Sequence, residues 1–137
     1  MNICEWTSDY SVGISQVYRH HQRLFEILND LFNLMRDGAE DKPILKVIEE
    51  LLDYTNYHFN EEEKIMEQMH YPALAQHKIL HQELIQQLKT FQASAQSGMA
   101  IFVAIKIADV GLAWLKNHIL TVDHQYSEYM KQQGLQF

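Results

Sequence analysis

HFNEEEKIMEQMHYPALAQHKILH, residues 58–81, is the stretch that decides the fold. Two pairs of potential metal donors occur in it at four-residue spacing: His58 and Glu62, and His77 and His81. Residues four apart lie on one face of an α-helix, so each pair directs two donor side chains toward one point. Pro72 disfavours a helical residue before it, which predicts two helices separated near residues 69–71. Antiparallel packing of these helices would bring three imidazoles and a carboxylate together, as in a metal site.

The inward-facing positions around this stretch are unusually polar. Apolar residues recur at three- and four-residue steps over residues 13–36, 43–66 and 72–92, which predicts three amphipathic helices. The inward-facing positions include His21 in the first helix, Glu62 in the second, and His77 and His81 on consecutive turns of the third. A buried carboxylate needs a cation or a hydrogen-bond partner. A single buried histidine is more often a core residue than a ligand, so the prediction of a metal site depends on how many donors converge.

A fourth helix is predicted from residues 98–115, GMAIFVAIKIADVGLAWL, which are largely apolar. Lys106 and Asp109 interrupt this segment on one helical face. We therefore expect a mostly buried bundle helix that continues to about residue 118, and not a membrane span.

Two more donors follow this helix at an unusual spacing. His118 and Asp123 are five residues apart, which on an unbroken α-helix separates their directions by about 140°. For both side chains to reach one site, the helix must unwind near residues 120–122. Asp123 is then either a ligand or the cap of a short last helix over residues 126–131.

Two further histidines are expected outside the site. His20 is rotated by about 100° from His21 toward the polar side of its helix, and His124 follows Asp123 in the sequence. We expect both side chains to be exposed to solvent. His20 becomes an alternative donor if the first helix is rotated.

The composition indicates one domain and disfavours several partners. A length of 137 residues suits a single domain, residues 1–137, that buries about two-thirds of its unfolded surface. The formal charge of −7, without a basic stripe, argues against nucleic acid or an anionic membrane as the partner. The single cysteine, Cys4, cannot form an internal disulfide, and the first ten residues lack signal-peptide features. We therefore expect a cytoplasmic protein without membrane insertion.

Motifs spread over almost the whole chain resemble the hemerythrin family, and within it the single-domain bacteriohemerythrins. The matching segments are HQRLF at 21–25, HFNEEE at 58–63, YPALAQHKILH at 71–81 and WLKNHILTVD at 114–123, with Trp6 and YSVGI at 10–14 resembling the opening arm. Each motif alone is weak, but their order and separations together are highly specific. The resemblance implies an all-α fold, an antiparallel up-and-down four-helix bundle with an N-terminal arm and a short C-terminal helix.

The resemblance also implies a non-haem di-iron centre. It would contain two iron ions per chain, Fe2+ or Fe3+, joined by an oxo or hydroxo bridge. Carried over by position, the ligands are three histidines on one iron, two on the other and two bridging carboxylates: His77, His81 and His118; His21 and His58; Glu62 and Asp123. The sequence departs from the family pattern at His20, where a glutamine is usual.

Reversible O2 binding is the function that the resemblance implies, and the ligand count is compatible with it. If iron takes six ligands, two bridging carboxylates, a bridging oxygen and three histidines complete one ion, whereas two histidines leave the other one ligand short. By resemblance, the wall of the O2 pocket is formed by Phe59, Trp114, Leu115 and Ile119. We expect storage, delivery or sensing of O2, with an unidentified recipient protein and no catalytic residues.

Two other classes of function are considered. The first is a di-iron enzyme on the same scaffold, such as a peroxidase or a nitric-oxide-handling protein. The second is a bundle that binds haem or zinc through its histidines. The second is disfavoured because Glu62 and Asp123 have no role in bis-histidine haem binding and closed tetrahedral zinc needs only four of the seven donors.

Overall fold

The computed structural model describes residues 13–135, and the arm predicted from Trp6 and Tyr10 lies outside these residues. The described residues form helices that pack as the predicted four-helix bundle, which is thereby confirmed. The α-helices are α1, Ser15–Arg36; α2, Asp41–Gln68; α3, Leu74–Ser94; α4, Ala100–Lys106; α5, Leu112–Asn117; and α6, His124–Gln132. The first three are bundle helices, and α4 to α6 together form the fourth bundle helix and its C-terminal extension.

The connections are short, so consecutive bundle helices are antiparallel. The turn between α2 and α3 contains His70 at φ 53°, the one positive φ at a non-glycine residue in the described range. Pro72 was predicted to open the third helix, but it lies in this turn, and α3 begins two residues later, at Leu74. Between α3 and α4, Gly98 adopts φ 100°, a conformation that glycine enters at low energetic cost. The predicted break near residues 69–71 is therefore correct, with the helix start shifted by two residues.

The fourth bundle helix does not unwind where the sequence analysis expected it to. Two π-helical segments, Ile107–Gly111 and His118–Asp123, connect α4 to α5 and α5 to α6 without a break. Asp123 has helical φ and ψ and makes no side-chain capping bond to α6. The unwinding prediction was wrong because a π-helix, with hydrogen bonds between residues five apart, widens the helix while preserving its continuity.

The core consists of two apolar clusters at opposite ends of the bundle. One contains Leu24, Leu28, Leu51 and Leu84, and the other, smaller cluster is centred on Met66 and includes residues from α1, α2 and α6. Along each helix, the potential metal donors lie between the residues of the two clusters. The bundle therefore encloses a polar layer between two apolar ones.

The fourth bundle helix is less buried than predicted. The large apolar residues that are exposed between Met99 and Leu120 are Met99, Ile101, Phe102, Ile105, Val110 and Leu120. By length and composition alone, the continuous run Leu74–Gln132 includes one apolar window long enough to cross a membrane, and 33% of that window is buried. A core helix of a soluble protein passes the same test, so this is weak evidence for a membrane span. The prediction of a mostly buried helix was wrong because the small residues between the exposed ones, such as Ala104 and Ala108, are sufficient to face the core.

Candidate metal centre

The seven predicted donors meet in the polar layer between the two apolar clusters. All four bundle helices contribute, and every donor side chain is buried: His21 from α1, His58 and Glu62 from α2, His77 and His81 from α3, and His118 and Asp123 from the second π segment. Buried histidines and carboxylates in this number are costly unless they are paired or bind a cation. The predicted helix phases therefore direct six of these side chains inward, and the π segment brings the seventh, Asp123, into the same layer.

Three histidines and one oxygen from each carboxylate form the first group of donors. His77 Nε2 and His81 Nε2 lie 3.2 and 3.1 Å from Glu62 Oε1. His77 Nε2 and His118 Nε2 each lie 3.0 Å from Asp123 Oδ1. These five residues each provide a ligand atom within 4.8 Å of the others, which is the spacing of donors around one ion.

The second group contains two histidines and the opposite oxygens of the same carboxylates. Glu62 Oε2 lies 3.6 Å from His21 Nε2 and 3.5 Å from His58 Nε2. Asp123 Oδ2 lies 3.2 Å from His21 Nε2. Each carboxylate thus directs one oxygen to each group, which is the geometry of two bridging ligands between neighbouring ions.

The chemistry of the donors fits a bound metal better than a hydrogen-bonded core. The His81 Nδ1–H donates to Glu63 Oε2 at 3.0 Å, so in the neutral imidazole the Nε2 atom has only a lone pair. That lone pair faces Glu62 Oε1, which is buried without a hydrogen bond of good geometry among the described residues, as are both Asp123 oxygens. Facing lone pairs repel unless a proton or a metal ion lies between them; burial lowers the pKa of His81, but the contact with Glu62 outweighs it and favours the proton. The residues present therefore fit a metal ion that displaces this proton.

Protonation of the metal-free site has a consistent pattern. Burial lowers the pKa of His21 and His77, but contacts with Asp123 and Glu62 outweigh burial and raise both to about 9. Burial lowers the pKa of His58 to about 3. Burial raises the pKa of Glu62 and Asp123, but the surrounding histidines outweigh it and hold both below their ordinary values. The site therefore holds anionic carboxylates and exchangeable protons, which a metal would displace.

His20 is buried, which contradicts the prediction that it is exposed. Its Nδ1 lies 3.1 Å from the Nδ1 of His58, and its ring contacts the rings of Tyr54 and Tyr57. Burial and the adjacent His21 lower the pKa of His20. The helical phase was read correctly, but two tyrosines of α2 cover the flank on which His20 lies. His124 is also half-buried and not fully exposed.

The four predicted wall residues lie around the donors in different ways. The Phe59 ring stacks on His81 with centroids 3.7 Å apart, and the Trp114 ring stacks on His118 at 4.3 Å. Leu115 and Ile119 are buried in the larger apolar cluster. The rings of Phe59 and Trp114 therefore pack on the three-histidine group.

A small apolar cavity of about 20 Å³ lies beside the site. It is lined by one or more residues of every bundle helix: Leu24, Leu28, Leu51, Thr55, Phe59, Leu84, Leu88, Gly111 and Leu115. Leu24 follows His21 by one turn of α1, and Thr55 precedes His58 by one turn of antiparallel α2. The cavity therefore lies on one side of the donor layer, along the bundle axis.

Tyr126 and Glu63 are neighbours of the site that the sequence analysis did not assign. The Tyr126 hydroxyl donates to Glu62 Oε2 at 3.0 Å, and burial raises its pKa well above the ordinary value. Tyr126 follows Asp123 by three residues in helical conformation, so its spacing was a usable signal. Glu63 was placed on the flank of α2, but its pairing with His81 depends on how α2 and α3 pack.

Comparisons with known proteins show which family and fold this chain resembles. The chain matches the family described as the hemerythrin HHE cation binding domain over residues 12–129. It is 31% identical over 137 residues to a bacteriohemerythrin from Stenotrophomonas maltophilia, covering 100% of this chain and 88% of that protein. A bacteriohemerythrin from Pseudomonas aeruginosa is 34% identical over 128 residues, with 92% and 80% covered. The crystal structure of a wild-type hemerythrin superposes with a TM-score of 0.80 at 27% identity, covering 92% of this chain and 96% of that one.

Proposed function

This chain belongs to the hemerythrin family, and on that premise we propose that it binds O2 reversibly at a non-haem di-iron centre. The observation that carries this proposal is the position of the two carboxylates, each with one oxygen toward each group of histidines. A single-ion site would not need Glu62 and Asp123 to face both groups. Iron bound at this site would supply the electrons that reversible O2 binding requires.

The proposed ligands follow the two groups of donors. His77, His81 and His118 would hold one iron, His21 and His58 would hold the other, and Glu62 and Asp123 would be shared by both. The group with two histidines offers one donor fewer, and no free polar side chain among the described residues of the adjacent cavity replaces that donor. O2 would therefore bind on the two-histidine side.

The contacts around the ligands orient them for this role. Glu63 accepts the Nδ1–H of His81, which leaves the Nε2 lone pair available for a metal. The contact between His20 Nδ1 and His58 Nδ1 does the same for His58 when the His58 nitrogen is the donor. Such outer contacts set the tautomer and ring orientation of metal ligands. Tyr126 donates to Glu62 and holds the bridging carboxylate in place.

The apolar cavity supports a binding protein more than an enzyme. Its one polar lining side chain, Thr55, has a hydroxyl that already donates to the Leu51 carbonyl oxygen at 2.6 Å. Among residues 13–135, the cavity therefore offers no free proton donor to an oxygen ligand, and its leucines limit the entry of water. Peroxidase chemistry needs a positioned group that transfers protons. We accordingly favour a protein that stores, delivers or senses O2.

Repeated cycles of oxygenation and deoxygenation of the same sample distinguish a carrier from an enzyme. The reduced, iron-loaded chain is exposed to O2 and then deoxygenated under argon for several cycles, with the visible spectrum recorded at each step. In parallel, consumption of hydrogen peroxide or nitric oxide is measured with excess reductant. We expect full spectral recovery and negligible turnover. Rapid multiple turnover without a reversible oxygenated spectrum would overturn the proposed function.

A further inference from the structure

The fourth bundle helix carries an exposed apolar stripe that the metal centre does not use. Phe102 is 60% exposed, Ile105 is 46% exposed and Val110 is 40% exposed. They are separated by three and five residues, and the five-residue step spans the π segment Ile107–Gly111, whose wider turn keeps the side chains on one side, so they form one contiguous surface. A contiguous exposed apolar surface on a soluble chain marks an interaction site more often than isolated apolar residues do.

A pair of opposite charges lies in the middle of this stripe. Lys106 and Asp109 are both exposed, and neither has an ion-pair partner among residues 13–135. Their three-residue spacing would permit an ion pair within the helix, but none is formed. Both charges are therefore available to a partner that approaches this face.

Two copies of the stripe are complementary to each other when they pack antiparallel. If a second copy of the helix packs antiparallel, with the two-fold axis between residues 107 and 108, Lys106 of one copy faces Asp109 of the other. In the same register Ile105 faces Val110. The largest exposed side chain, Phe102, then faces the small Ala113, which is also exposed. Charge, size and apolar character all match in this single register.

We propose that this stripe is the contact surface of an antiparallel homodimer with that register. Isologous interfaces of this kind are the commonest in soluble oligomers. A parallel arrangement would place Lys106 against Lys106, and like charges opposite each other are destabilising. A lipid bilayer is a poor alternative occupant because it would place Lys106 and Asp109 in or near hydrocarbon.

The size of the surface predicts weak association. A contact between single helices buries less than the about 800 Å² per partner of a standard interface. We therefore expect a dissociation constant on the order of 10–100 µM. The dimer forms at high protein concentration and dissociates on dilution.

The test is sedimentation equilibrium of the full chain between about 5 µM and 500 µM, a range that brackets this dissociation constant. Lys106→Glu places two acidic residues opposite each other and should raise the dissociation constant at least about tenfold. The double variant Lys106→Glu with Asp109→Lys reverses both charges and should restore it to within about threefold. Ile105→Lys should also weaken the dimer, whereas Ile79→Lys, at an isoleucine that is 54% exposed on α3, should not. Thermal melting and iron content identify any variant that fails to fold.

The charge-reversal pair makes the test specific to the proposed register. The dimer is supported if Lys106→Glu and Ile105→Lys each weaken association and the double charge variant restores it. A chain that stays monomeric throughout the concentration range, or a dimer that none of these changes affects, would overturn it. A monomer that binds vesicles of phosphatidylcholine and phosphatidylglycerol, and loses that binding in Ile105→Lys, would also overturn it and assign the stripe to a lipid surface.

Discussion

His118 and Asp123 lie five residues apart on one continuous helix, yet His118 Nε2 is 3.0 Å from Asp123 Oδ1. The π-helical segment between them makes this contact possible because its wider turn brings residues five apart onto the same side. The Thr121 hydroxyl donates to the Asn117 carbonyl oxygen at 2.5 Å, a contact of the kind that bends helices. Such π segments are frequent at functional sites, and here the segment supplies two of the seven candidate ligands.

Replacement of Glu63 tests the outer support of the candidate ligands. Glu63→Gln removes the charge that accepts the His81 Nδ1–H, so we expect iron affinity to fall by about 10- to 100-fold. Glu61→Gln is the matched control, because Glu61 lies on the opposite flank of α2 and contacts Lys64 and Gln16. Competition for iron with a chelator measures both. Equal iron affinity in the two variants would show that Glu63 does not support the metal site.

Replacement of adjacent histidines in α1 tests the phase of that helix. His21→Ala removes a ligand from the two-histidine group, so we expect loss of about one iron per chain and of stable oxygenation. His20→Ala removes an outer contact of His58 but no ligand, so two irons should still bind at saturating iron concentration, with a lower affinity. Metal analysis and visible spectra compare the two variants. If both lose iron equally, α1 is placed wrongly relative to the site.

Truncation of a cavity wall tests whether apolar packing protects the oxygenated protein. Leu115→Ala enlarges the cavity and admits water, so the oxygenated protein should convert to the ferric form faster, with O2 affinity much less affected. Leu31→Ala is the control, because Leu31 is in the same apolar cluster but does not line the cavity. Both changes should destabilise the fold by about 2–5 kcal/mol. Equal conversion rates in both variants would attribute the effect to stability alone.

The free energy of unfolding of the metal-free protein should fall as the pH rises from about 6.5 to about 9. His21 and His77 have native pKa values of about 9, above their ordinary 6.5, because Glu62 and Asp123 favour the protonated rings. The native state therefore binds more protons than the unfolded state in this window, and the stabilisation is complete below about 6.5 and lost as the pH reaches about 9. His21 and His77 each contribute on the order of 3 kcal/mol to the free energy of unfolding, because a shift of one pKa unit corresponds to about 1.4 kcal/mol.

Urea unfolding of chelator-treated protein at several pH values measures this effect. His58 opposes it only at lower pH, since its lowered pKa destabilises the native state as the pH falls below 6.5. Stability that is constant or increases between pH 6.5 and 9 would show that the protonated pairs with Glu62 and Asp123 do not form.

The sequence was sufficient to predict the four bundle helices and the inward direction of six donors, whereas Asp123 was left open between a ligand and a helix cap. Helical periodicity determines which face of a helix is apolar, and polar residues such as His81 and Glu62 on that face are conspicuous. The same periodicity could not predict the π segments, because the continuity of the helix at residues 118–123 depends on local hydrogen bonding and on tertiary contacts.

Contacts between helices were the second limit of prediction. The burial of His20 depends on Tyr54 and Tyr57 of α2, and the pairing of Glu63 with His81 depends on the packing of α2 against α3. The exposure of Phe102 follows from which side of the fourth bundle helix meets its neighbours. Each of these features requires the relative rotation of two helices, which the pattern of a single helix does not contain.

Metal content and visible spectrum of the reduced protein, before and after exposure to air, test the central claim most directly. Because two carboxylates each face two groups of histidines, we expect two irons per chain. The reduced protein should be nearly colourless, gain a visible charge-transfer band with O2 and lose it when O2 is removed. A Soret band, zinc as the sole metal of the freshly purified protein, or one iron per chain without an O2-dependent spectrum would contradict the account.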